Sequence, residues 1–137
     1  MDRILFEYCV KKDEGKRYLS IDTYINNERI FPKLNINIFC LDNSLKQSGE
    51  YPLFVCGCGD EGCGGVFRTP YVEVEEERIT WFIYEPEQRE FTFDKEQLTS
   101  DIRHLKRSLL NYRPSQNWYN VHYTALHKTV GYFLKCG

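Results

Sequence analysis

The sequence predicts a single α+β domain: an antiparallel sheet from about the first 84 residues, packed on one face by two C-terminal helices. Three observations lead there. Apolar and polar residues alternate through the N-terminal part, at the period of two that a half-buried strand requires. From Asp94 onward the apolar spacing becomes three and four, which is the helical period. Strands first and helices last is an order that disfavours a parallel βαβ arrangement.

Taken in order, Ile4, Phe6 and Tyr8 alternate, and Lys11 to Gly15 supplies a charged turn. Leu19, Ile21, Thr23 and Ile25 alternate again; Asn26-Asn27 then marks a turn before Arg29-Ile30-Phe31. Asn37 to Lys46 fits either a short helix or a loop, and Tyr51 to Cys56 reads as a buried strand. Val66 to Glu75 and Arg78 to Tyr84 form a hairpin, with Val72 and Val74 on one arm and Ile79, Trp81 and Ile83 sharing a face of the other. The acidic run Glu75-Glu76-Glu77 is a solvated tip before it is a cation site. A helix over 94–112 starts at Asp94 as N-cap, with Gln97 completing a capping box and Leu98, Ile102, Leu105 and Leu109 as its apolar stripe. Arg103, Lys106, Arg107 and Arg113 lie toward its C-terminal end, where positive charge complements the helix dipole without any phosphate site. Pro114-Ser115 breaks the chain. A second helix over 118–134 follows, striped by Tyr119, Tyr123, Leu126, Val130 and Phe133.

At 137 residues there is room for one domain, residues 1–137, with a core of its own. Ten Tyr, nine Phe and two Trp carry enough apolar area that core filling is their expected use. A net charge of −2 leaves no basic excess to neutralise a run of phosphates, so no nucleic-acid partner is expected. The apolar runs are far too short to span a bilayer, and Glu7 interrupts any signal-peptide core, so no membrane partner and a cytoplasmic location are expected. The six Cys of a cytoplasmic chain are expected as thiols or metal ligands.

One segment is unusual: Cys56-Gly57-Cys58-Gly59-Asp60-Glu61-Gly62-Cys63-Gly64-Gly65, with three Cys and five Gly in ten residues. Gly57, Gly59 and Gly62 spell a dinucleotide fingerprint, but no helix pattern follows to hold a pyrophosphate, and Asp60 and Glu61 would repel one. Zinc is a second possibility, with Cys56, Cys58 and Cys63 as candidate ligands and Cys40, Cys136, a His or water as the fourth. A third is thiol redox chemistry, disfavoured because the loop supplies acidic rather than cationic neighbours. The fourth, and favoured, is a tight multiple turn in which glycines adopt positive φ and the cysteines stay reduced and apart. His122 and His127, five apart, do not share a helical face, and His104 lies among basic residues and is expected to be exposed. No G-x-S-x-G elbow, P-loop or H-E-x-x-H is present.

Cys58-Gly59-x-x-Gly62-Cys63-Gly64, then Ile79-Thr80-Trp81, then Phe91-Thr92-Phe93-Asp94 as a helix start, resembles a group of small uncharacterised bacterial proteins sharing those three motifs. The likeness spans roughly Leu19 to Lys106 and implies bacterial origin and domain layout; it brings no activity and no catalytic residue. The expected function is a non-enzymatic binding or interaction protein with a protein partner. A homodimer is a further expectation, because an edge strand and aromatic faces need cover. The alternative is a zinc-binding or thiol-based protein, enzymatic or not, centred on the Cys56–Cys63 loop.

Overall fold

The computed structural model describes residues 1–13, 16–32, 34–56 and 68–111. In chain order its elements begin with β1 (Ile4–Asp13), β2 (Lys16–Ile25), β3 (Glu28–Ile30) and β4 (Leu34–Ile36). A 3-10 turn (Ile38–Cys40) and α1 (Leu41–Lys46) come next. Then follow β5 (Gly49–Glu50), β6 (Phe54–Cys56), β7 (Tyr71–Val74), β8 (Arg78–Ile83), β9 (Arg89–Asp94) and α2 (Lys95–Asn111). The architecture is α+β, and every ladder among the described residues is antiparallel.

Among the described residues the strands form three sheets rather than one, in the orders β1-β2-β3, β4-β6 and β5-β7-β8-β9. Their strands also run past Tyr84, because Arg89–Asp94 is a strand in register with β8. Its alternation is plain in burial: Phe91 and Phe93 face inward while Glu90 and Asp94 are exposed. The strand expected from Tyr51 starts only at Phe54. Pro52 has no N–H to give a ladder and sits in a three-residue turn closed by Leu53 N–H on the Tyr51 carbonyl at 2.8 Å. Asn26 and Asn27 make the β2–β3 turn with φ of 54° and 66°, the left-handed pair that a tight hairpin turn needs and that Asn tolerates. The second helix expected over 118–134 lies outside the described residues.

Trp81 is the centre of the core. It is fully buried, with Phe93 edge-on at 4.9 Å and Phe54 edge-on at 6.3 Å, and Phe31 meets Phe54 at 5.1 Å. These rings join β6, β8 and β9, so aromatic area does here what many aliphatic side chains would otherwise do. The α2 stripe of Leu98, Ile102, Leu105 and Leu109 is buried in full, against β1, β8, β9 and α1.

The start of α2 is held from two sides. Gln97 N–H donates to the Asp94 carboxylate at 2.9 Å, as an N-cap requires. The Gln97 amide turns forward to Asp101 at 3.0 Å, so the reciprocal half of the capping box is replaced by an i,i+4 pair. From the β7–β8 tip, the Glu77 carbonyl accepts Lys95 N–H at 2.9 Å and the Glu75 carbonyl accepts Lys95 Nζ at 3.2 Å. Lys106 does not serve the helix dipole. It is 4% exposed and pairs with Asp42 of α1, whereas Arg103 and Arg107 stay on the surface.

Two substitutions separate these contributions in denaturant unfolding. Trp81→Ala is expected to cost roughly 3–5 kcal/mol, the range for losing a large buried aromatic. Asp94→Ala is expected to cost about 1 kcal/mol, the usual worth of an N-cap. Equal losses for the two would contradict a core organised on Trp81.

Candidate functional site

Of the glycine-cysteine segment, Cys56 is described: its backbone pairs with Leu34 at the end of β6. Cys58 and Cys63 lie outside the described residues, as do His122, His127 and Cys136. The chain is next described at Arg68, whose N–H donates to the Glu85 carboxylate at 3.1 Å and whose guanidinium lies 3.7 Å over the Tyr84 ring. The Cys40 thiol, a candidate fourth ligand, donates to the Asn37 carbonyl at 3.3 Å within the 3-10 turn. Among the described residues no group of three or more His, Cys, Asp and Glu is placed to hold a metal. His104 is exposed on α2.

A different site emerges from the first strand. Arg3 directs its carbonyl to Asn26 N–H at 2.8 Å and its N–H to the Asn26 side-chain oxygen at 3.0 Å, both toward β2. Asp2 directs its N–H the other way, to the Thr92 carbonyl of β9 at 2.8 Å. Backbone groups alternate sides along a strand, so Leu5 and Glu7 bond toward β2 while Ile4 and Phe6 point away from it. On that outer side β1 has no strand neighbour among the described residues beyond the single bridge from Asp2 to Phe93.

A groove runs along this edge. One wall is Ile4, Leu5 and Phe6, and the other is Asp101, His104, Leu105 and Ser108. Three consecutive strand residues point to alternating faces, so a groove that touches all three must follow the strand edge. The second wall has i, i+3, i+4, i+7 spacing, a single stripe of α2. Ile4 is buried, Phe6 is half-buried, and Leu5 is 59% exposed beside it. The adjoining face of α2 presents Arg103 and Arg107 together with Glu96, Ser100 and the shared His104. The sequence carries a trace of this site in Ile4-Leu5-Phe6, where an apolar residue breaks the alternation at the position destined for solvent.

Elsewhere the surface is tied by ion pairs with visible effects on ionisation. Arg89 of β9 reaches Glu28 of β3 at 3.0 Å, linking two ladders, and lies over the Phe91 ring. Its hydrogen bond and its charge together hold the Glu28 carboxyl below the usual range. At the β7–β8 hairpin, Arg78 bonds Glu75 at 2.7 Å and lowers its pKa, while a hydrogen bond to Glu75 favours the protonated form of Glu73 and raises that pKa.

No protein-family model, curated protein or solved structure matches the chain.

The signs of these shifts differ. Glu28, depressed in the folded state, contributes stability at pH above its unfolded value, and that contribution is lost as the pH falls through the folded value. Glu73, raised, works in the opposite direction: its contribution is present at low pH and is lost as the pH rises. Replacing the cation in Arg89→Met is expected to return Glu28 to the ordinary carboxylate range in a carboxyl-carbon NMR titration. A Glu28 that still titrates low in this variant would assign the shift to another cause.

Proposed function

We propose that this chain is a binding or interaction protein rather than an enzyme, and that it takes its partner along the outer edge of β1. The observation behind this is the backbone alternation: Ile4 and Phe6 turn their amides and carbonyls into a groove whose far wall is a helix. A strand edge with no strand neighbour among the described residues is a template for another extended chain, because each added strand residue pair restores hydrogen bonds lost to water. Two other edge positions are blunted among the described residues. Asp2 occupies the outer side of β9 at Thr92 and Phe93, and the Ser48 hydroxyl accepts Val74 N–H at 2.7 Å beside the short β5. A cytoplasmic setting, in which thiols stay reduced, belongs to the same proposal.

A metal or thiol role for Cys56, Cys58 and Cys63 is the second proposal, favoured by the concentration of soft ligands between the end of β6 and the anchored Arg68. Elemental analysis of the purified protein with a free-thiol count separates the two. Six free thiols and no stoichiometric metal are expected under the first proposal, and stoichiometric zinc or missing thiols under the second.

Phe6→Pro removes an outward N–H without touching a β1–β2 bond, a place where an edge strand tolerates proline. Phe6→Leu keeps that N–H and changes only the side chain. Extended peptides selected from a displayed library on the unaltered chain are expected to bind Phe6→Leu and to lose Phe6→Pro. A turnover-dependent product from a panel of hydrolase and oxidoreductase substrates would overturn the non-enzymatic assignment.

A further inference from the structure

We infer that the outer face of the β5-β7-β8-β9 sheet takes an arginine-bearing segment of a partner protein, its guanidiniums stacked on Tyr71 and Phe82 between the carboxylates of Glu50 and Glu90. This surface shares no residue with the β1 edge, so it stands or falls independently of that site. Register places the four side chains in one row. Glu50 pairs with Tyr71, Tyr71 with Phe82, and Phe82 with Glu90, and directly paired residues project from the same face. The neighbouring row of Val72, Trp81 and Phe91 is buried, so this one points outward: Glu50, Tyr71 and Glu90 are exposed and Phe82 is half-buried. The Tyr71 and Phe82 rings lie 6.4 Å apart. Alternate side chains of an extended chain are spaced by roughly 6.8 Å, which matches. The molecule itself shows what a ring on this sheet receives. Two residues along β8, on the same face, the Tyr84 ring is covered by the Arg68 guanidinium at 3.7 Å. On the opposite face Arg89 lies over Phe91 while bonding Glu28, a ring and a carboxylate at once. Among the described residues no cation covers Tyr71 or Phe82, and neither Glu50 nor Glu90 has an ion-pair partner. The cations nearby are engaged, Arg78 on the Glu75 carboxylate and Lys95 Nζ on the Glu75 carbonyl. The surplus negative charge is felt at Glu73, beside the row. Its carboxyl is held above the usual range, first by its hydrogen bond with Glu75, with desolvation and the charges of Glu75 and Glu90 adding and Arg78 opposing. A guanidinium answers both halves of the row, because it stacks flat on a ring and bonds a carboxylate in a two-pronged geometry.

The test uses the full chain and two fluorescein-labelled peptides, one alternating Arg and Ser and one alternating Lys and Ser. Binding is read by fluorescence anisotropy, and the Tyr71 and Phe82 ring resonances are followed by NMR. The expected result is saturable binding of the Arg-Ser peptide, weaker binding of the Lys-Ser peptide, and movement of both ring resonances. Tyr71→Ala is expected to weaken the Arg-Ser peptide roughly threefold or more, the scale of one exposed cation–ring contact. Glu50→Gln combined with Glu90→Gln is expected to weaken it roughly fivefold or more, as two exposed ion pairs would. All three positions are exposed, so the fold is expected to survive. Glu76→Gln combined with Glu96→Gln removes the same charge from exposed positions outside the row and is expected to leave the affinity within about twofold. Equal losses from the two pairs of substitutions would assign the binding to net charge and overturn the site. Equal affinity for the two peptides would overturn the stacked guanidinium. Binding that leaves the two rings unmoved would place the peptide elsewhere and overturn the inference. Ring resonances that shift with protein concentration alone would overturn it in favour of a second copy of the chain. Contacts from residues beyond Asn111 to Tyr71 before peptide is added would overturn it in favour of the chain itself. Absence of saturable Arg-Ser binding would overturn it outright.

Discussion

The carboxylate of Asp2 is the joint on which the arrangement of the first strand depends. One oxygen accepts Thr92 N–H of β9 at 2.7 Å, and the other accepts the Asn26 side-chain amide at 2.8 Å, at the β2–β3 turn. Two ladders with no strand in common are thus gripped by a single side chain, with charge-assisted hydrogen bonds on both sides. Asn26 can reach Asp2 because its backbone is left-handed, which also frees its side-chain oxygen to take Arg3 N–H. Direction follows from this. With Asp2 facing β9 and Arg3 facing β2, each later residue of β1 has its side decided, and β9 gives way to α2 where Ile4 and Phe6 turn outward.

The other half of the fold is organised from Trp81 and the hairpin that carries it. The rings of Phe54 and Phe93 enclose it, and the same hairpin's tip supplies the carbonyls that receive Lys95. The first residue of α2 is therefore placed by the sheet it packs on. Helix stability of this kind comes from tertiary packing more than from intrinsic propensity. Among the described residues the buried Trp81 indole N–H and Thr23 hydroxyl meet no hydrogen-bond partner, and packing and ring geometry surround them there.

Features written in local chemistry were legible in the amino-acid sequence. The Asn26-Asn27 turn, the Asp94 cap, the α2 stripe and the inward face of Ile79, Trp81 and Ile83 each depend on residues within a turn or a strand of one another. Features that depend on pairing at a distance were not. Arg89–Asp94 is a strand because β8 lies beside it, although Phe91 and Phe93 already alternate; locally, Asp94 signals only the helix that follows. β4 pairs with β6 across the intervening α1 and β5, which no local pattern announces. Lys106 looks like a dipole partner until Asp42, on another helix, is found beneath it. The β1 groove needed knowledge of which strand is left at an edge, and the cysteine cluster that dominated the sequence contributes only its Cys56 stem to the described residues.

The position of β1 as an addressable edge thus descends from one carboxylate shared between Thr92 and Asn26. A double-mutant cycle in equilibrium unfolding tests this most directly, using Asp2→Ala, Asn26→Gly and the pair. Glycine keeps the left-handed backbone of residue 26 while removing its side chain, so the cycle isolates the side-chain contact. Residues in direct hydrogen-bond contact show coupling of about 0.5–3 kcal/mol, and a value in that range is expected here. Additivity within about 0.3 kcal/mol would show that Asp2 and Asn26 act independently, and the junction would have to be sought elsewhere.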